Sequence, residues 1–193
     1  MQDKKIDRRV KYTKKALKNS LIDSLKEKTI EKITVKELCE KADVNRGTFY
    51  SHYSDQFDLY NEVVKELITD AIALTEPFMN PNERLHDKLK TAVVIFRFIK
   101  ANSELFKVLL ENFSILGSDK YDDMFNQMVH SVYLDDIKRQ VPDKRLVDMA
   151  YQFVAAANIT LIKYWINTGM KESEEEMAIL AMKLTTKGIS GLM

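Results

Sequence analysis

Residues 33–53 read ITVKELCEKADVNRGTFYSHY, and their reading decides the fold. Thr34 and Glu37 have capping-box spacing at the start of a short helix whose inward face is Val35, Leu38, Cys39 and Ala42. Asp43 follows where a helix ends in left-handed geometry, which aspartate tolerates better than most residues though less well than glycine. Val44 plugs the turn, and Asn45 can cap another helix running to about His52. Two short helices around a tight turn, the second polar and basic at its start, have the shape of a module that lays one helix in the DNA major groove.

The residues of that second helix suit the task. Arg46 is the candidate for a base contact, because its planar fork matches O6 and N7 of guanine. Gly47, lacking a side chain, allows close approach of backbone to DNA, and helix N-terminal amides attract phosphate. Tyr50, His52 and the hydroxyls of Thr34 and Thr48 can reach phosphates, with Ser51 on the same short stretch. Phe49 is expected to point inward, against the first helix. The same residues would also fit a small helical bundle with a polar solvent face.

Outward from this stretch, Thr13 can cap a first helix to about Lys28, lined by Ala16, Leu17, Ser20, Leu21 and Leu25. A basic arm leads into it: Lys4, Lys5, Arg8, Arg9 and Lys11, followed by Lys14, Lys15 and Lys18. Few apolar groups there could offset the entropy of ordering, so its first residues are expected to be disordered until they meet phosphate or a minor groove. Solubility alone is the competing role. The net charge of +1 hides an asymmetry: residues 1–54 carry 14 Lys/Arg against 8 Asp/Glu, and the remaining 139 residues sum to −5. One end is suited to a polyanion and the other is not.

The rest reads as helices: one from Ser54 or Asp55 past Leu74, then others near 83–100, 103–112, 119–139, 143–168 and 173–187. Gly169 is placed to stop the fifth of these six, and Ser173 with Glu176 forms another capping box. No segment alternates with a period of two, so an all-α chain with no sheet is expected. Cys39 is the only cysteine, which rules out an intrachain disulfide and a Cys-rich zinc site. His52, His86 and His130 have no partner at familiar metal-ligand spacing, and with five glycines there is no phosphate-cradling loop or nucleophile elbow. Neither an enzyme nor a cofactor or metal is expected. No run reaches transmembrane length and no signal sequence precedes the arm, so the expected location is the cytoplasm, without membrane contact.

Residues 13–60 closely resemble the N-terminal DNA-binding domain of the TetR/AcrR family of transcriptional regulators. The resemblance rests on TVKELCEKADVNRGTFYSHYSDQFDLY, with Gly47, Thr48, Phe49, Tyr50, His52 and Tyr53 standing at the family's signature positions. It implies that Thr48, Tyr50 and His52 anchor the DNA backbone while Asn45, Arg46 and Ser51 tune the sequence read. Two departures stand out. Asp43 replaces a frequent turn glycine, and Gln56 stands where many members place a lysine.

The resemblance further implies about nine helices: a helix-turn-helix head over residues 1–54 and a helical effector-binding and dimerisation body over 55–193. YWINTGMKESEEEMAILAMKL looks like a C-terminal segment of one branch, which suggests that the last two helices pair with their mates in a homodimer. Phe153, Ala157, Leu161, Tyr164 and Trp165 on one helix, and Met177, Leu180, Ala181 and Leu184 on the other, recur at three- and four-residue spacing. An intrachain core would give the same stripe. Candidate lining for an apolar or aromatic small-molecule effector is Phe96, Phe106, Phe113, Phe125 and Met128, with Asn112, Gln127 or Asn158 as polar anchors; core packing explains that set equally. The expected function is a repressor that binds palindromic DNA as a homodimer and is released by effector. The alternatives are an activator or co-regulator without a small-molecule effector, and a dimeric protein-interaction adaptor.

Overall fold

The computed structural model describes residues 2–75, 85–112, 143–188 and 190. They are helical throughout, with no strand among the described residues. The elements are α1 (Gln2–Leu25), a 3-10 turn (Ile30–Lys32), α2 (Val35–Ala42), α3 (Arg46–Tyr50), α4 (Gln56–Thr75), α5 (Leu85–Ala101), α6 (Ser103–Asn112), α7 (Lys144–Asn167) and α8 (Glu174–Lys187). The helix expected at 119–139 lies outside the described residues, as do Phe113, Phe125, Gln127, Met128 and His130.

The chain divides into two compact units, Met1–Leu67 with Glu111–Ile115, and Ile68–Leu110 with Leu116–Met193. The first therefore runs beyond residue 54, because the buried face of early α4 (Leu59, Tyr60, Val63 and Val64) belongs to it.

In the first unit α1 packs on α2, and α2 on α3. Leu17 and Leu21 of α1, Ile30 of the turn, Leu38 of α2 and Phe49 of α3 are fully buried. Each such side chain contributes about 1.5–3 kcal/mol relative to exposure. α1 begins at Gln2 rather than Thr13, so the segment expected to be a disordered arm is helical. Residues 3–12, DKKIDRRVKY, contain no glycine or proline, and lysine and arginine are good helix formers, so nothing stops α1 from extending backwards.

In the second unit α8 packs along α5 and also meets α7. The Phe96 and Trp165 rings meet edge to face at 5.5 Å, and the Trp165 indole N–H donates to the Glu172 carbonyl at 3.1 Å. α7 stops as expected at Gly169, whose φ of 86° suits a residue without Cβ. Met170 N–H donates to Trp165 O and Gly169 N–H to Ile166 O, satisfying carbonyls the helix end would leave orphaned. Ser173 and Glu176 form the capping box of α8, while Lys100 pairs with Glu174 at 2.9 Å and Arg97 with Glu175.

Candidate nucleic-acid interface

The geometry of the turn starts at Thr34. Its Oγ1 accepts from Glu37 N–H at 3.3 Å, and Glu37 Oε2 accepts from Thr34 N–H at 2.9 Å. Lys28 Nζ lies 2.6 Å from the other carboxylate oxygen. That contact, reinforced by the Thr34 amide, holds the Glu37 carboxyl down at about 2. Asp43 then sits in the left-handed region at φ 52°, ψ 47°. Val44 N–H donates to Cys39 O at 2.9 Å, so α2 closes in the manner usually served by glycine. Burial pushes the Cys39 thiol up, against the opposing pull of the Arg46 charge.

α3 spans only Arg46–Tyr50, two residues short of the expected His52, with Ser51 as its cap. Asn45 Oδ1 accepts from Gly47 N–H at 2.8 Å, so the oxygen of this candidate base reader is committed to capping its own helix. Gly47 has a structural reason of its own. A Cβ there would lie 3.3 Å from that oxygen and crowd the cap. Phe49 is fully buried, meeting the Tyr53 ring at 5.6 Å and the Tyr50 ring edge-on at 5.5 Å.

The anchored Phe49 leaves Asn45, Arg46, Thr48, Tyr50 and Ser51 exposed together, Tyr50 at 58%. The Ser51 hydroxyl donates to Thr48 O at 2.7 Å. His52 is half-buried, edge-on to Tyr53. Thr34 is exposed at the start of α2, and Gln56 is half-buried as the first residue of α4, next to the capping carboxylate of Asp55. Arg8 and Arg9 are exposed on α1, whereas Lys4 and Lys5 lie on α1 where only the backbone is described.

Lys14 and Lys18 of α1 are already engaged. Lys14 lies 3.1 Å and Lys18 2.9 Å from the Glu62 carboxylate, and Lys18 also reaches Glu66. Tyr53 hydroxyl donates to Glu62 Oε1 at 3.2 Å, under the Lys14 ammonium 5.5 Å from the phenol ring. This cluster was not legible as a site. Its only trace in the sequence is paired spacing: Lys14/Lys18 and Glu62/Glu66 each recur at i, i+4 on one helix face.

The candidate effector and interface residues separate in the second unit. Phe96 is buried against Trp165, and Phe106 is buried edge-on to Phe98 at 6.0 Å, so both serve packing. Trp165 and Met177, 1% and 2% exposed, are likewise interior to the unit and cannot be offered to a second chain. By contrast Phe153 and Tyr164 stand 74% and 66% exposed, with Leu146 and Met149 further along the same helix. An apolar cavity of about 410 Å³ lies between α7 and α8, lined by Phe153, Ala157, Asn158, Leu161, Ala181 and Leu184 among others. Asn158 thus borders this cavity together with most of the candidate interface stripe. Leu180 is half-buried on α8. Asn112 is turned elsewhere, accepting from the Ile30 amide. No described helix is long and apolar enough to cross a membrane.

With this geometry in hand, comparison with known proteins is decisive at the level of family. The family model TetR_C_8, the transcriptional regulator C-terminal region, matches residues 86–187. A TetR transcriptional regulator from Streptococcus agalactiae 2603V is 26% identical, with a TM-score of 0.66 over 93% of this chain and 96% of that one. The transcriptional regulator FadR of Bacillus subtilis, solved in complex with stearoyl-CoA, shares the fold at 13% identity and a TM-score of 0.61, over 90% of this chain and 98% of that one. YxbF, an HTH-type transcriptional regulator of Bacillus subtilis (strain 168), is 26% identical over 176 residues, 89% of this chain. The chain spans 44% of the length of that relative. Matched over more than half its length by that regulator model, the chain belongs to the TetR family of transcriptional regulators, which are not enzymes.

Proposed function

We propose that the protein is a sequence-specific DNA-binding repressor that binds palindromic operator DNA as a homodimer in the cytoplasm and is released by an apolar or aromatic small molecule. The observation that carries this reading is the five-residue α3. One buried ring, Phe49, fixes it, and Arg46, Thr48 and Tyr50 stand exposed around that anchor. A helix so short is useful only if held rigidly and presented outward, which is what groove reading requires. Arg8 and Arg9 on the helical α1 add exposed positive charge to the same unit.

Dimerisation draws support from α7, whose exposed Leu146, Met149, Phe153 and Tyr164 share one helix face that a second chain would cover. Two heads related by a twofold axis read half-sites about one helical turn apart or a multiple of it.

Binding of the purified chain to a pool of random-sequence duplexes, with bound species sized in the same experiment, tests the reading. Enrichment of a palindrome by a protein dimer is expected. No enrichment at low or moderate salt, with the protein correctly folded, would leave a nonspecific binder or the adaptor class. A reporter driven from the enriched site then gives the sign of regulation, and activation would overturn repression.

A further inference from the structure

The side chain of Asn112, the last residue of α6, is 2% exposed, and its Oδ1 accepts from the backbone N–H of Ile30 at 2.9 Å across 82 residues of sequence. Ile30 is fully buried and opens the 3-10 turn. Its amide is one of the donors a helix start leaves without an internal partner. Thr29, at the capping position, makes no side-chain cap hydrogen bond. The turn therefore takes its cap from α6 rather than from its own neighbourhood.

The chain leaving that turn gives the bond its consequence. Ile33 is 1% exposed, and Thr34 opens α2, whose end sets the left-handed Asp43 and the start of α3. Ser103–Leu110 of α6 belong to the second compact unit, and the regulator C-terminal region begins upstream of them, whereas Glu111 and Asn112 belong to the first. We propose that Asn112 is a positioning residue for the reading helix. It fixes residues 30–34, and through them α2 and α3, and a displacement of the α6 terminus reaches the head by withdrawing this one acceptor. A withdrawn oxygen leaves the Ile30 amide buried and unpaired, so the head resists the change until the turn itself shifts. The role in DNA reading rests on the function proposed above; the fixing of the turn does not.

Hydrogen exchange on the full chain, resolved by residue or peptide, separates this from general packing. Asn112→Leu keeps volume without an acceptor, and Asn112→Ala removes both. Exchange over residues 30–53 is expected to rise about ten- to a hundred-fold in the Leu and Ala variants, with residues 147–187 unchanged. Affinity for a duplex selected by the parent protein is expected to fall about tenfold in the Leu variant. An Ile30 amide unprotected in the parent, equal acceleration along the whole chain, or normal duplex affinity in the Leu variant would each overturn the proposal. If the parent selects no duplex while the exchange pattern appears, the DNA reading fails and the fixing of the turn stands.

Discussion

Tyr53 donates its phenolic hydrogen to Glu62 Oε1 at 3.2 Å, and that carboxylate is also the meeting point of Lys14 and Lys18. One α4 side chain thereby ties α1 and the residue just beyond the reading helix to the same helix. Glu62→Gln keeps the shape and one acceptor but leaves Lys14 without its carboxylate and Lys18 with that of Glu66 alone. A loss of about 1–2 kcal/mol is expected, the lower part of the range for charged hydrogen bonds because the group is partly exposed. Tyr53→Phe removes a single donor and should cost about 1 kcal/mol. Denaturant unfolding of both variants checks this; a Gln variant as stable as the parent would show the cluster to be decoration.

The same cluster gives the stability a pH dependence. Burial raises the Glu62 carboxyl, but hydrogen bonds from Lys18 and Lys14 outweigh it and the net shift is downward. Its contribution is then complete above the ordinary carboxylate value of 4.5 and lost as pH falls through the depressed folded value. Glu37 behaves alike, losing its contribution between 4.5 and about 2. Lys18 runs the other way: burial lowers it, Glu66 and Glu62 more than restore it, and its contribution fades only above 10.5. Melting temperature against pH should show an acid limb that Glu37→Gln and Glu62→Gln each make shallower. An unchanged limb in both variants would contradict the assignment.

How much of this the sequence disclosed depended on whether the deciding signal was local. Thr34 with Glu37, Ser173 with Glu176, the left-handed Asp43 and the stop at Gly169 all appear where residue type and spacing put them, because caps and turns are settled within a few residues. The same locality misled at the N-terminus, where Thr13 looked like a cap but nothing before it breaks a helix, and α1 runs on. Interior and surface could not be told apart on α7. Phe153 and Trp165 share a helical stripe, yet one is exposed and the other is covered by Phe96 of α5. The bonds from Asn112 to Ile30 and from Lys14 to Glu62 span 82 and 48 residues, and no spacing rule reaches that far.

Asp43 offers a direct test of the turn. A non-glycine residue at φ 52° carries a backbone cost that glycine would not, partly offset by the freedom glycine loses on folding. Asp43→Gly should stabilise the chain by about 0.5 kcal/mol, and Asp43→Val should destabilise it by about 1–2 kcal/mol. Thermal unfolding checks both; equal stability of the two variants would mean that the turn relaxes out of the left-handed region.

Arg46 opens α3 and is exposed beside the cap. If its guanidinium reads a guanine, Arg46→Ala should lower discrimination between the selected duplex and a single-base variant by about 1–3 kcal/mol. Competition binding at fixed salt measures this. Equal weakening on selected and random duplexes would assign Arg46 to phosphate and leave sequence reading to its neighbours.

Phe153 tests the proposed interface. It stands 74% exposed at the rim of an apolar cavity of about 410 Å³. In a twofold contact each ring would enter the partner's surface, and the loss on substitution counts twice. Burial of a phenylalanine is worth about 1.5–3 kcal/mol, so Phe153→Arg should raise the dimer dissociation constant by about a hundred-fold or more. Because the side chain is largely exposed among the described residues, the variant should melt within a few degrees of the dissociated parent. Trp165→Ala provides the contrast, since that ring is enclosed by its own chain and its loss should cost about 3–5 kcal/mol of folding stability. Sedimentation velocity across a concentration series distinguishes the two effects. A Phe153→Arg protein that stays dimeric at low micromolar concentration would move the interface off this face of α7 and α8.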